Sequence, residues 1–285
     1  MEVELLLVPY DTALRGWRMG AGPDHLVGAG LVSHLSASGY VVESSVVTPE
    51  PDGVPAEIAT AFELMRLLAQ RVRAALAAGR FPLVLGGNCN TAPGTLAGLT
   101  PLSRAVFWFD AHADCNTSET TTSGFLDGMA LATAMGRCWR QMTSAIPGFQ
   151  PVQDRAVLLL GTRDLDPLEA ELLSSSAVRV LSPASLRGPR LDHELASLRS
   201  EVDVGYVHCD LDVLDPREGQ ANPFPVPGGL TVAEVERAVR AIGRVVPLKA
   251  AAVTAYAPEY DNDGRVSRGA FRIIEALLAA AGGAS

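Results

Sequence analysis

The chain has 285 residues, a formal net charge of −9, 48% apolar and 19% charged residues. That balance excludes an intrinsically disordered chain, and the acidic excess argues against nucleic acid or an anionic membrane as partner, since either needs a basic face. The length suits one large α/β domain, expected to span residues 1–285.

The amino end, "MEVELLLVPY", has two acids where a secretory leader would be basic, and no run is long enough to span a bilayer. Cys89, Cys115, Cys138 and Cys209 have no framework spacing, so a reducing cytoplasm is expected rather than a disulfide scaffold. Short β-branched runs predict strands at 4–8, 83–85, 105–109, 156–160, 178–181, 205–209 and 251–254. Helical spacing of apolar residues marks 56–78, 167–174, 191–202, 231–242 and 267–280, and Thr231 with Glu234 has the form of a capping box. The alternation predicts an α/β fold with three layers, a mostly parallel sheet flanked by helices. Pro/Gly-rich "NPFPVPGGL" (222–230) reads as a loop within that unit.

Ligands of such sheets bind beyond the carboxyl ends of the strands. The segments there are "GGNCN" (86–90), "DAHAD" (110–114), "GTRDLD" (161–166) and "DLDVLDP" (210–216). In extended backbone, residues two apart face the same side, so Asp110, His112 and Asp114 converge at one strand end and Asp210 and Asp212 at another. Unpaired carboxylates buried together cost several kcal/mol, about what a cation would relieve. Carboxylates with imidazole suit Mn²⁺, with Zn²⁺ or Fe²⁺ as alternatives. A lone D-x-D is usually a turn or a cap, whereas two such clusters at strand ends of one sheet favour a metal site.

"DAHAD" followed by "DLDVLDP", with "GG" two residues before a further potential ligand, resembles the arginase/agmatinase ureohydrolases. The resemblance covers most of the chain, beginning at "RMGAGPDHL" (18–26), and implies a hydrolase that releases urea from guanidino groups with two Mn²⁺ per chain. By that resemblance Asp110, His112, Asp114, Asp210 and Asp212 match metal ligands, with Asp114 and Asp210 on one ion, His112 and Asp212 on the other, and Asp110 bridging. Cys89 stands where the family has its sixth ligand, a histidine. A thiolate is softer, so this position is either weak or suited to Zn²⁺, Fe²⁺ or Co²⁺; the bland alternative is a small buried hydrophobe.

"CNTSETTTSGFLDG" (115–128) looks like the arginase branch: Asn116, Thr121 and Ser123 match positions that hold an α-carboxylate, and Asp166 and Glu169 match those facing an α-amino group. Asp127 replaces the family's proton-shuttling histidine, and Asp114 and Asp127 are the expected proton carriers. Ala255, in "VTAYAPEYD", replaces a glutamate that grips the guanidinium, with Glu259 as a nearby substitute, and Phe125 replaces a polar residue. The expected substrate is therefore a modified arginine such as N-hydroxyarginine. The competing reading is a catalytically degenerate relative that binds an amino acid or metal, or a hydrolase of another C–N bond. His208 is expected to support the site from one step deeper, Asp215 to brace a turn, and Arg163 and Asp164 to form a buried pair. Cys115 and Cys209 should pack away from it. The family likeness further implies a homo-oligomer, trimer or hexamer.

Overall fold

The computed structural model describes residues 1–49 and 56–283. Eight strands form one parallel sheet: β1 (Glu2–Val8), β2 (Val41–Val46), β3 (Phe81–Gly86), β4 (Arg104–Phe109), β5 (Val157–Leu160), β6 (Arg179–Leu181), β7 (Val204–Asp210) and β8 (Leu248–Thr254). Their spatial order is β2-β1-β3-β8-β7-β4-β5-β6. The seven predicted strands are present, with boundaries shifted by a residue or two at most positions. The eighth, β2, lies outside the prediction. Its sequence VVESSV is half polar and largely exposed, as an edge strand tolerates.

The central strands are apolar on both faces because both are covered. Neighbouring residues point opposite ways, so Leu83, Phe107 and Val207 join one buried cluster with Ile242 and Ile274, while Val84, Trp108 and Tyr206 join another with Leu68 and Leu96. The first cluster is roofed by helices Val232–Val245 and Arg265–Ala281, the second by Glu57–Ala77 and Thr91–Gly98. Thr91–Gly98 lies against the longer helix at Gly94, where a Cβ would run into the Met65 backbone. The predicted capping box forms: the Glu234 N–H donates to Thr231 Oγ1 (3.2 Å) and the Thr231 N–H to Glu234 Oε2 (2.9 Å), an arrangement that contributes about 1 kcal/mol.

The four middle strands, β3, β8, β7 and β4, end side by side. Their continuations carry Cys89, Ala255, Asp210 with Asp212, and Asp110 with His112 and Asp114. The crossovers change direction here, because β7 and β8 return to fill the space between β3 and β4, and such a switch opens a crevice at the carboxyl ends of the strands. No helix among the described residues is long and apolar enough to cross a membrane.

Candidate metal centre and amino-acid pocket

Strand β4 delivers Asp110 straight from a run of fully buried aromatics, and three contacts fix its carboxylate. The Trp108 indole Nε1 donates to Oδ2 (3.0 Å), the His112 backbone N–H donates to Oδ1 (2.7 Å), and the His112 ring Nδ1 lies 3.3 Å from Oδ1. The same ring nitrogen is 3.4 Å from Asp212 Oδ2. Asp212 Oδ1 accepts the Ala111 N–H (3.2 Å) and its Oδ2 accepts Asn222 Nδ2 (3.2 Å), while the other bond from that amide goes to the Ala255 carbonyl (3.1 Å).

The acids do converge, but not by the extended geometry expected from their spacing. The strand stops at Phe109, and Asp114 has a left-handed backbone, φ 51°. At the other tip Asp212 sits in a 3₁₀ turn whose N–H donates to Asp210 Oδ1 (2.8 Å). Tight turns, rather than continued strand, therefore aim the side chains. A φ near +50° is costly for a residue with a Cβ and persists only where its surroundings impose it.

Two groups of donor atoms lie within 4.8 Å of one another: Cys89, Asp110 and Asp114 in one, Asp110, His112 and Asp212 in the other. Asp110 belongs to both. Asp210 is adjacent, its Oδ2 accepting from Cys89 Sγ (3.2 Å). Cys89 Sγ is also 3.4 Å from Thr254 Oγ1, which is 3.2 Å from His208 Nε2, whose Nδ1 meets the Tyr206 hydroxyl (2.9 Å). His208 is fully buried and stacks on the Trp108 ring at 3.7 Å between centroids. Burial drives its pKa down to about 3, so it is a neutral brace beneath the cluster. The loop bearing Cys89 is pinned at Gly87, where any Cβ would fall against the Tyr10 carbonyl oxygen.

The electrostatics are those of an unneutralised acid cluster. Burial, then repulsion from neighbouring carboxylates, pushes Asp114 and Asp210 well above the usual range and Asp110 up to about 6. Burial, then Asp11, does the same to Asp127. The Cys89 thiol is raised by burial and then by Asp127 and Asp210. Burial would raise Asp212, but the hydrogen bond and charge of His112 together with the Asn222 and Ala111 donors outweigh it and hold this carboxyl low. For His112 burial opposes the charge, yet Asp110 and Asp212 hold the imidazolium up to about 12.

A cavity of about 170 Å³ opens above this floor. Seven acids line it, namely Asp114, Asp127, Asp164, Asp166, Glu169, Asp210 and Asp212, together with Asn116, Thr121, Ser123, Phe125, Phe224 and Ala255. Asp110 and Cys89 lie beneath, each 1% exposed. The rim is held together by its own polar groups. Asn116 Nδ2 donates to Asp166 Oδ2 (2.9 Å), and Glu169 accepts the Cys115 N–H (2.7 Å) while closing a capping box with Asp166 on helix Pro167–Ser174. Burial raises Glu169 to about 6. The Gly124 N–H donates to Thr121 Oγ1 (3.0 Å) and the Phe125 N–H to Ser123 Oγ (3.1 Å). Asp127 Oδ1 accepts the Cys89 N–H at 2.6 Å, tying rim to floor.

The arginase family profile matches residues 1–280. The chain belongs to the arginase family. Arginase of Bacillus subtilis (strain 168) is 28% identical over 288 residues, which cover 97% of each chain. The crystal structure of Bacillus caldovelox arginase matches with a TM-score of 0.88 at 27% identity, covering 97% of this chain and 98% of that one. An Entamoeba histolytica arginase solved with L-ornithine, 20% identical with a TM-score of 0.84 and covering 97% and 98%, shares the fold. Enzymes of this family hydrolyse C–N bonds in linear amidines, and this protein is a hydrolase of that class.

Two further sequence expectations fail. Glu259 is exposed in the 3₁₀ turn Pro258–Tyr260 and does not line the cavity, so it cannot stand in for the glutamate that Ala255 replaces. Arg163 does not pair with Asp164. Its guanidinium instead donates to the carbonyls of Gly161 (3.0 Å), Asp212 (3.0 Å) and Val226 (2.7 Å), while Asp164 is exposed. Those bonds clamp the turn that carries Asp212. Asp215 braces the next turn against the 222–230 loop, accepting from the Arg217 and Gly228 N–H groups (3.0 and 2.8 Å), and the Arg217 side chain leads in holding its pKa down to about 2. Cys115 and Cys209 are buried among apolar residues on opposite faces of the sheet. Sequence reasoning missed Trp108, Thr254 and Asn222. Trp108 alone left a trace, sitting two residues before Asp110 on the same side of a strand.

Proposed function

We propose that the protein hydrolyses the amidino group of an arginine-related amino acid, N-hydroxyarginine being the best fit, with two divalent cations held at the strand tips. The observation that carries this reading is a cluster of buried acids and a thiol lying directly under a cavity whose rim suits an α-amino acid.

The residues present fit such ions. Asp114 Oδ2 is buried without any hydrogen-bond partner, and burial of an unsatisfied carboxylate oxygen is costly unless a cation completes it. Asp110, His112 and Asp212 would hold one ion and Cys89, Asp110, Asp114 and Asp210 the other. Mn²⁺ is the expected metal at the first position, while the thiol shifts the second towards Zn²⁺, Fe²⁺ or Co²⁺. When bound, such ions supply Lewis acidity that eases deprotonation of water at neutral pH.

The chain's own groups then arrange the reaction. Asn116, Thr121 and Ser123 hold the α-carboxylate, while Asp166 and Glu169 face the α-amino group. Asp114 takes a proton from the attacking water. As the C–N bond breaks, that proton passes to the departing amine, assisted by Asp127, whose Oδ1 is fixed by the Cys89 N–H. The products are urea, or hydroxyurea, and the shortened amino acid. Ala255 decides the substrate: with Met19 it forms an apolar wall beside the acids. An unmodified guanidinium finds no carboxylate on that wall. N-hydroxylation lowers the basicity of the group, so it meets an apolar surface with a smaller desolvation penalty.

The same reading places the enzyme in the cytoplasm as a homo-oligomer, trimer or hexamer, for which light scattering is the check. The decisive test is a screen of arginine, N-hydroxyarginine, agmatine and other guanidino acids with Mn²⁺, Fe²⁺, Co²⁺ and Zn²⁺, scored by urea and hydroxyurea release. Preference for N-hydroxyarginine is expected; no turnover of any of them overturns the reading.

A further inference from the structure

Among the described residues seven carboxyl groups line the cavity, and neither Lys nor Arg does. Two dications would offset only part of that charge, and they sit at the floor. A substrate α-carboxylate must rest at the opposite end, among Asn116, Thr121 and Ser123, with Asp164 and Asp166 close by. Neutral hydrogen-bond donors alone leave this anion facing like charges. A cation near the mouth would resolve the conflict.

The molecule has one there. Arg18 opens the short turn Arg18–Ala21 and reaches over the two aromatic rings of the cavity wall. Its guanidinium carbon lies 5.7 Å from the ring centre of Phe125 and 5.5 Å from that of Phe224, with Trp17 at 4.9 Å on its own loop. Phe125 and Phe224 come from different loops and meet at 5.9 Å. Phe125 is two residues from Ser123, which puts the cation beside the carboxylate end of the pocket. Arg18 Nε faces Asp11 Oδ2 at 3.4 Å, and Asp11 is fully buried with no hydrogen bond of full geometry to either oxygen. Neither terminal nitrogen of Arg18 is hydrogen-bonded among the described residues, and its side chain remains 25% exposed. The backbone at Arg18 is also left-handed, φ 48°. A strained backbone, a buried counter-ion and three rings thus fix a guanidinium whose two outer N–H edges have no partner. Arg163, the other guanidinium close to the acids, is fully engaged by carbonyl oxygens.

We propose that Arg18 reads the substrate's α-carboxylate, with Asp11, Trp17, Phe125 and Phe224 as its holder. The inference rests on the amino-acid pocket proposed above. A planar guanidinium suits a carboxylate through two parallel N–H bonds, and stacking on aromatic rings leaves those edges available. The consequence is selectivity: a substrate with an α-carboxylate gains an ion pair that its decarboxylated amine cannot make.

The test uses metal-loaded, full-length protein and binding calorimetry with L-ornithine and putrescine, which differ by that carboxylate. Wild-type protein should prefer L-ornithine. Arg18→Met should weaken L-ornithine binding by about 10- to 100-fold, the range of a charge-assisted hydrogen bond, and putrescine by less than about threefold. Arg18→Lys should fall between, because it keeps the charge but not the fork. Arg18→Met strands the Asp11 charge, so the double variant Asp11→Asn/Arg18→Met guards against misfolding and should show the same loss of preference. Equal weakening of both ligands, an unchanged preference, or a wild type that favours neither or binds neither would overturn the proposal. Should no amidine be hydrolysed while the ornithine preference exists and disappears with Arg18, the hydrolase reading falls and this one stands.

Discussion

The floor and the rim of the pocket are built on opposite principles. The floor stands on strand tips, where Asp110, Asp114 and Asp210 are pressed together with their carboxyl groups pushed upward by burial and by one another. The rim stands on loops, yet its polar groups complete each other: Asn116 with Asp166, Glu169 with Cys115, Thr121 with Gly124. The tips of packed strands and the tight turns just beyond them thus carry the electrostatically incomplete part, and loops carry the satisfied part. The metal site proposed for the floor needs the fixed positions that packed strands and their turns supply. The substrate reading proposed for the rim needs the adaptable donors that loops supply.

That contrast can be broken by substitution. Asp110→Asn removes the only carboxylate common to both donor groups. It should abolish binding of at least one ion and lower kcat/KM by more than about 100-fold, beyond the 10- to 100-fold that loss of an outer partner costs. Metal analysis together with the amidine assay reads both. Trp108→Phe keeps the ring but deletes the indole donor to Asp110. It should weaken metal affinity by about 10- to 100-fold, seen in a chelator competition titration. At the rim the effect should be smaller and of another kind. Asn116→Ala should raise KM by about tenfold, through loss of a polar contact, with kcat and metal content nearly unchanged. A rim variant that lost metal, or a floor variant that changed only KM, would erase the distinction.

These roles were unequally visible in the sequence. Acids two apart after a hydrophobic strand announce themselves, because buried charge in that position is expensive. The path by which they converge does not: Asp114 turns through a left-handed residue and Asp212 through a 3₁₀ turn, neither of which alternation implies. Strand β2 escaped because an exposed edge need not be apolar. Thr254 and Asn222 read as core and loop until their partners are known, since Thr254 meets Cys89 and Asn222 meets Asp212 from other segments of the chain, whereas Trp108 stands two residues from Asp110. The same blindness made Arg163 and Asp164 look like a pair, when the guanidinium serves carbonyls of a different loop.

The smallest expected effect concerns pH. In metal-free protein Asp110 and Glu169 are both raised to about 6, from 3.8 and 4.5. Groups raised in the folded state stabilise it below their ordinary values and lose that contribution as pH climbs through the folded value. Chelated protein should therefore lose Tm as pH climbs from 4 to 7, with Asp114, Asp127 and Asp210, also raised, adding to the same trend. Asp212, held low, acts only at more acid pH, outside this window. Added Mn²⁺ should offset the loss increasingly as pH rises, because ligands bind metal deprotonated. Thermal melts with and without metal across that range measure it.

The most direct check is how much metal the purified, chelator-stripped protein takes back from Mn²⁺, Fe²⁺, Co²⁺ or Zn²⁺. Uptake of one to two equivalents per chain, absent in Asp110→Asn/Asp212→Asn, is the predicted result. Folded wild-type protein that takes up none of the four, or a double variant that binds as well as wild type, would contradict the account.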